Sequence, residues 1–351
     1  MKTVLIDTTK LAEKGGFGTI NDNYSKMIVK SIPHDMRFVM MVKEKDMGFL
    51  GPKVQYVALE HLDRDIKALP YKIDLWHSTD QLYLKRRHRK GMVNLLTVHD
   101  LNMLRDKKGI HRIKSFLKLR LSIMRSDYIT VISQYVKDDL LKHINVGRRP
   151  VKVIYNGIPD NVEIPEDKPQ FIKSDRPFFF TIGQIRAKKN FISLVPMMKY
   201  FPDTDLYICG LQPRKKDIEK INDKIRELKL NNVHLTGGIS NDEKVWMYAH
   251  CRAFLFPSLL EGFGLPVLEA MRYGAKVFSS RCTSLPEVCG GHASFFNTFE
   301  PEQMAKTVKE GLKEWKRGCK EAISAYNYSM NFTFKKYSEQ YIRLYRQLLG
   351  I

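Results

Sequence analysis

Cysteine is scarce in this chain, five in 351 residues. No two stand as Cys-x-x-Cys, and the number is odd. A disulfide scaffold and a cysteine-held zinc are both disfavoured, and a reducing, cytoplasmic setting is expected. Long apolar runs are missing as well. No stretch of about 18 residues is free of charge, so no spanning helix is expected. The opening Met-Lys-Thr-Val-Leu-Ile-Asp meets an acid at Asp7, too soon for the apolar core of a signal peptide. The nicotinamide fingerprint G-x-G-x-x-G, the phosphate loop G-x-x-x-x-G-K-[ST], the metal motif H-E-x-x-H and the nucleophile elbow G-x-S-x-G are all absent. Asp63-Arg-Asp65 has the spacing of a metal dyad but stands in a charged, helix-like stretch, so no metal is expected.

What the chain has in excess is positive charge, +21 in all. The excess peaks from Lys85 to Arg125, with 13 Lys and Arg against Asp100 and Asp106 alone. Such a field attracts polyanions: nucleic acid, anionic headgroups or phosphorylated substrates. No recognised nucleic-acid motif accompanies it, so nucleic acid is not expected as a partner.

Short apolar or β-branched runs alternate with helical patterns. Residues 4–7, 37–42, 54–59, 73–78, 93–98, 128–132 and 151–155 read as strands. Over 110–125, Ile110, Ile113, Leu117, Leu121 and Met124 recur at steps of three and four, the mark of one helix face. Lys114, Lys118 and Arg125 are read on the face opposite Ile113 and Leu117, where plain solvation is the alternative to a bound anion. The alternation breaks at Asn156-Gly157-Ile158-Pro159 and restarts at 178. Strands follow at 178–182, 205–209, 233–236, 253–257 and 276–280, with helices near 191–200, 214–229, 242–250, 265–273, 301–315 and 333–349. The reading is α/β: a Rossmann-like domain over 1–158, a proline-bearing linker over 159–177, a second such domain over 178–330, and a helical tail over 331–351.

Glu261-Gly-Phe-Gly-Leu-Pro-Val-Leu-Glu269 is the strongest motif. It follows a strand and opens a helix. Gly262 and Gly264 allow a sharp turn and close backbone approach, and Pro266 suits a first helical turn. Amides near Leu265 and Val267 would then form an anion site. Carboxylates beside such a site, at Glu261 and Glu269, make sense as hydroxyl acceptors, one for a sugar and one for a ribose. A second motif, Gly183-Gln-Ile-Arg-Ala-Lys-Lys-Asn190, sets Arg186, Lys188 and Lys189 at a strand's carboxyl end, where open sheets bind ligands. Gly15-Gly16-Phe17-Gly18 reads either as a phosphate loop or as a plain tight turn. His99-Asp100 ends a strand in a site-lining position, and His77 ends another.

These residues, with Phe256-Pro-Ser258, Leu285-Pro-Glu-Val288 and the junction Asn156-Gly157-Ile158, resemble the retaining glycosyltransferases of the group 1, family 4 type. The resemblance implies a GT-B fold, two doubly wound Rossmann-like domains facing across a cleft, with a C-terminal helix crossing back to the first. It implies transfer of a hexose, with a lean toward mannose, from a GDP- or UDP-linked sugar. The acceptor would be a glycan or lipid-linked molecule in surface polysaccharide or lipopolysaccharide synthesis, and neither metal nor cofactor would be needed. By position, Glu261 would bind the donor sugar and Glu269 the ribose. Gly183, Lys189 and the stretch Gly262, Phe263, Gly264, Leu265, Val267 would hold the nucleotide end. The second cation stays open between Lys188 and Arg186, because Gln184 stands where an arginine is common. Gly15 and Gly16 would lie near the diphosphate, and His99 near the reacting sugar. An anionic membrane surface on the cytoplasmic side is the partner implied for Lys85–Arg125. An epimerase on the same fold and a basic nucleic-acid-binding protein are the competing readings.

Overall fold

The computed structural model describes all residues except 12–15, 83–89 and 161–162. It divides into two compact units, Met1–Gly157 with Thr333–Ile351, and Ile158–Phe332. In the first, the described strands are β1 (Lys2–Asp7), β2 (Met36–Val42), β3 (Gln55–Ala58), β4 (Leu75–Ser78), β5 (Val93–Val98), β6 (Tyr128–Val131) and β7 (Val151–Val153). They pair parallel in the order β3-β2-β1-β4-β5-β6-β7. The second unit holds β8 (Phe178–Ile182), β9 (Asp205–Cys209), β10 (Val233–Gly237), β11 (Ala253–Phe256), β12 (Val277–Ser280) and β13 (Ser294–Phe296), ordered β10-β9-β8-β11-β12-β13 and again parallel. Both sheets are covered on both faces, which is why their strands read as near-continuous apolar runs. Phe179, Phe180, Leu206, Ile208, Phe254 and Leu255 are all fully buried.

Every expected strand is present, with ends moved by at most two residues. Sequence reading missed β13, a three-residue strand at a sheet edge. It also missed the helix Gly16–Lys30, which is rich in weak helix formers (Gly18, Thr19, Asn21, Asn23). Tertiary burial of Ile20, Tyr24 and Ile28 stabilises that helix instead. The helix expected over 191–200 is a four-residue helix, Leu194–Met197, between two 3-10 turns. Pro196 has no N–H to continue an α ladder. Residues 163–177, read above as linker, pack within the second unit. Ile172 is buried, the Phe171 ring lies 5.9 Å from that of Tyr207, and Ser174 Oγ donates to Asp205 at 2.7 Å.

The C-terminal helix Phe334–Leu349 belongs to the first unit. Its Tyr337, Tyr341 and Tyr345 stripe is buried against Tyr24 and the sheet. The hydroxyls meet polar groups that central strands would otherwise bury unpaired. Tyr341 Oη lies 3.0 Å from Thr97 Oγ1 and 3.1 Å from Thr130 Oγ1, and Tyr345 Oη lies 2.7 Å from His77 Nδ1. His77 Nε2 bonds Thr97 at 2.7 Å, and the ring stacks on Tyr341. His77 is thus a packing residue.

The helix Gly109–Met124 corrects the reading of the basic segment. Its core-facing residues are Ser115, Leu119, Ser122 and Ile123. Ile110, Ile113, Leu117, Leu121 and Met124 point to solvent. At about 100° per residue, Lys114 and Lys118 border that apolar stripe rather than oppose it. The run Lys85–Arg89 lies outside the described residues.

Candidate functional site

In an open parallel sheet, ligands bind outside the carboxyl ends of the strands where the strand order reverses. In the second unit that reversal falls between β8 and β11. Gly183 and the cationic loop leave β8 there, and the loop carrying Glu261 leaves β11. The structure joins these loops. Lys189 Nζ meets Glu261 Oε1, with the ammonium 5.1 Å from the Phe256 ring centroid. The two side chains are only 13% and 14% exposed, so the pair is formed largely out of water. The Lys188 carbonyl accepts from the Leu259 amide at 2.8 Å and from Ser258 Oγ at 3.3 Å. The Glu261 amide donates to Thr283 Oγ1 at 3.0 Å, and Ser284 Oγ donates to the carbonyls of Glu261 (3.2 Å) and Phe263 (2.9 Å). The turn through Gly262 is therefore held at both ends. Arg186 is half-buried, and its Nε finds no partner among the described residues.

Two glycines are required by the packing. Gly264 has φ +110°, and a Cβ there would lie 2.6 Å from Leu285 Cδ2. Gly210, also at positive φ, approaches Gly183 so closely that a Cβ would sit 2.0 Å from the Gly183 carbonyl oxygen. Gly264 caps the helix Leu265–Arg272. Two expectations are corrected here. The Val267 amide is not left for a ligand: it donates to the Gly264 carbonyl at 3.2 Å, because the first turn is wound tightly. The Phe263 ring is buried against Phe332, so that side chain belongs to the core. Leu265 is the first residue of the helix, a position whose amide has no intrahelical acceptor.

Glu269 is buried on this helix and accepts from Lys244 Nζ at 3.1 Å and Tyr248 Oη at 3.0 Å. Burial first, and then the Glu269 charge, hold the Tyr248 phenol well above its usual pKa. Sequence reading missed both partners. Their signal was the i,i+4 spacing on the helix Asn241–His250, which the Ser240–Glu243 capping box starts.

In the first unit the reversal falls between β1 and β4. Gly16 opens the helix that follows β1, while Gly15 lies outside the described residues. His99 follows β5. Its Nε2 bonds the Thr79 carbonyl at 2.8 Å, and its amide donates to Gln81 Oε1 at 2.6 Å. The carbonyl assigns the proton to Nε2, and burial pushes the imidazole pKa down, which favours the neutral ring. Asp7 ends β1 and is fully buried. Its Oδ1 accepts from the Thr9 amide (3.0 Å) and hydroxyl (2.7 Å), while Oδ2 has no partner among the described residues.

Burial above all, with the Asp80 charge adding to it and the Thr9 bonds opposing it, raises the Asp7 pKa to about 6 from 3.8. A raised folded-state pKa means the fold prefers the protonated form. Its contribution is full below the unfolded value near 3.8 and is lost as pH rises through about 6. Asp7→Asn should therefore gain on the wild type as pH rises from 4 to 7, by up to about 3 kcal/mol. Urea unfolding of both proteins across that range measures the difference. A gap that does not change with pH would contradict the assignment.

Two family models match the chain: glycosyl transferases group 1 over residues 163–330 and glycosyltransferase family 4 over residues 34–162. The serotype-specific mannosyltransferase WbdA of Escherichia coli is 27% identical over 234 residues, which is 62% of this chain and 29% of that protein. The O-antigen chain mannosyltransferase RfbU of Salmonella typhimurium is 26% identical over 220 residues, 61% of this chain and 59% of that one. The chain thus spans less than a third of the first relative and about three fifths of the second. Among solved structures, sucrose-phosphate synthase from Thermosynechococcus elongatus superposes with a TM-score of 0.79 over 100% of both chains at 17% identity. Anabaena HepE in complex with UDP and glucose gives 0.75 over 99% of this chain and 100% of that one, at 14% identity. These likenesses carry the fold, two Rossmann-like sheets of GT-B type. The two family models run without a gap from residue 34 to 330 and include every motif of the second unit, and the chain belongs to the group 1 glycosyltransferases.

Proposed function

We propose that this protein is a retaining, metal-independent hexosyltransferase. It moves a sugar, mannose in the favoured case, from a nucleotide-diphosphate donor to a glycan or lipid-linked acceptor in cytoplasmic synthesis of surface polysaccharide or lipopolysaccharide. The observation that carries the reading is the Lys189–Glu261 pair at the β8/β11 reversal, beside the helix that Gly264 opens. Mannose is favoured because WbdA and RfbU are both mannosyltransferases, and a nucleotide diphosphate fits a site whose fold neighbour HepE was solved with UDP.

In this mechanism the bond between the anomeric carbon and the leaving phosphate oxygen breaks through an oxocarbenium-like state. Negative charge grows on the diphosphate. Lys189, with Arg186 or Lys188 and the Leu265 amide, stabilises that charge, so no metal is required. The acceptor hydroxyl attacks from the leaving-group face and passes its proton to the departing phosphate oxygen. Glu261 holds a donor-sugar hydroxyl and orients Lys189. Glu269 holds the ribose, and no side chain becomes covalently attached.

A thermal-shift screen of GDP-, UDP- and ADP-sugars tests this first. A donor at about a hundred times its Kd should raise the melting temperature by about 5–10 °C. Transfer with that donor should survive EDTA and retain the anomeric configuration by NMR. Loss of activity on chelation, restored by manganese, would overturn the metal-independent mechanism. No response to any nucleoside diphosphate would overturn the reading itself.

A further inference from the structure

Among the described residues, three other than glycine have positive φ: Asn190 at +52°, Lys229 at +50° and Thr283 at +55°. Two of them have ordinary reasons. Lys229 lies just past the helix Lys215–Glu227, where the Leu230 amide reaches back to the Ile225 carbonyl at 3.1 Å, a common left-handed helix end. Asn190 closes the 3-10 turn Ala187–Lys189, and asparagine tolerates the left-handed region. Thr283 has neither reason. It is β-branched, so its side chain is crowded at such a φ, and glycine is the residue that this backbone favours. The helix that follows, Leu285–Cys289, takes Ser284 as its cap, with right-handed backbone. A strained conformation persists only where the surroundings over-determine it, and such positions cluster at functional sites.

The residue that Thr283 holds is Glu261. Thr283 Oγ1 accepts from the Glu261 amide at 3.0 Å and donates to the Cys282 carbonyl at 2.8 Å. The adjacent Ser284 Oγ donates to the Glu261 carbonyl at 3.2 Å. Two consecutive hydroxyls thus take the N–H and the C=O of one residue. In an extended strand consecutive side chains point to opposite faces, so a regular continuation of β12 could not present both to one residue. Fixing those two groups fixes the torsions on either side of the Glu261 Cα, and with them the direction in which its side chain leaves the loop. That side chain meets Lys189. We infer that Thr283 is a positioning residue for sugar transfer: its strained backbone is retained because it delivers the hydroxyl that aims the Glu261 carboxylate at Lys189 and at the donor sugar. The inference rests on the transfer reading and extends it to a residue outside the Glu261–Glu269 motif.

Three substitutions separate the hydroxyl from the backbone. Thr283→Val keeps the shape and the strain but removes the hydroxyl, Thr283→Gly removes both, and Thr283→Ser keeps the hydroxyl. Turnover is read as nucleoside diphosphate released from GDP-mannose or UDP-glucose, whichever the wild type consumes, and binding as the Kd of GDP or UDP alone by calorimetry. The valine and glycine variants should each lose about 10–100-fold in kcat, the scale of displacing a reacting group by up to about 1 Å. Their Kd for the nucleoside diphosphate should move by less than about threefold, because Glu261 addresses the sugar, and serine should bring kcat back to within about threefold of wild type. The glycine variant should nevertheless melt about 2–4 °C above the valine variant, since only glycine relaxes at this φ. Rates then follow the hydroxyl while melting temperatures follow the backbone, an order that a purely structural role would not produce. If the valine variant fails to fold, glycine against serine carries the same comparison. Wild-type kcat in the folded valine and glycine variants, or rates that track melting temperature across all three, would overturn the inference and leave the transfer reading standing. A wild type that binds neither diphosphate and consumes neither donor would overturn the transfer reading and this inference with it.

Discussion

Glu261→Gln and Lys189→Ala should each lower turnover at least about 100-fold, the scale of losing one preorganised electrostatic partner. Lys189 lies at the β8/β11 reversal with its ammonium already oriented by Glu261 and by the face of Phe256. In the proposed mechanism it needs no reorganisation when charge develops on the leaving diphosphate. Glu261→Gln keeps a hydroxyl acceptor of the same shape but removes the charge that aims the lysine. Because the two residues act as one unit, the double variant should lose little more than the worse single one. Steady-state transfer kinetics measure this, with a melting curve on each variant to establish that it folds. Near-wild-type turnover in both folded variants would dismiss the pair from catalysis. Glu269→Gln offers the contrast. A ribose contact, the role proposed for Glu269, is equal in ground and transition states, so KM should rise more than kcat falls. Glutamine is preferred to alanine there because Lys244 and Tyr248 both rely on that buried carboxylate.

The second large effect is on stability. Tyr341→Ala should cost the first unit about 3–5 kcal/mol, the range for truncating a large buried side chain. Its ring is fully buried between Tyr24, Tyr337 and His77, and its hydroxyl serves Thr97 and Thr130. Tyr341→Phe keeps the ring and removes only those bonds, so about 1–2 kcal/mol is expected. Trp76 is buried in the same unit and reports its unfolding. Urea titration of Trp76 fluorescence, in a background where Trp246 and Trp315 are replaced by phenylalanine, separates this transition from that of the second unit. An alanine variant within about 1 kcal/mol of wild type would show that the C-terminal helix does not brace the sheet.

Much of the second unit was legible in advance because its signals are local. The run Phe178–Ile182 followed by Gly183, and Ala253–Phe256 followed by the Glu261 loop, each announce a buried strand and a ligand-facing turn from adjacent residues alone. That Lys189 would meet Glu261, 72 positions away, was not legible. It depends on β8 and β11 being neighbours, a matter of strand order and not of spacing. Lys244 and Tyr248 were invisible for the same reason, since their i,i+4 pattern says they share a face but not that Glu269 lies against it. Val267 was misjudged because a free amide was inferred from helix position, while the actual first turn winds tightly enough to use it.

Two helices show where the sequence's authority ends. Phe334–Leu349 repeats Phe334, Tyr337, Tyr341 and Tyr345 at steps of three and four, and Gly109–Met124 repeats Ile110, Ile113, Leu117, Leu121 and Met124 in the same way. From periodicity alone both must be helices with one apolar side, because only a 3.6-residue turn brings such positions together. The sequence by itself determined that much, along with the α/β alternation and the two acidic and cationic motifs. It did not determine which way either stripe faces. The first stripe is buried because Thr97, Thr130 and His77 on the central strands need the tyrosine hydroxyls. In the second helix Ser115, Leu119, Ser122 and Ile123 are the buried residues instead, and the stripe is left exposed. Orientation is settled by what the neighbouring surface can accept, and that surface exists only once the strands have paired.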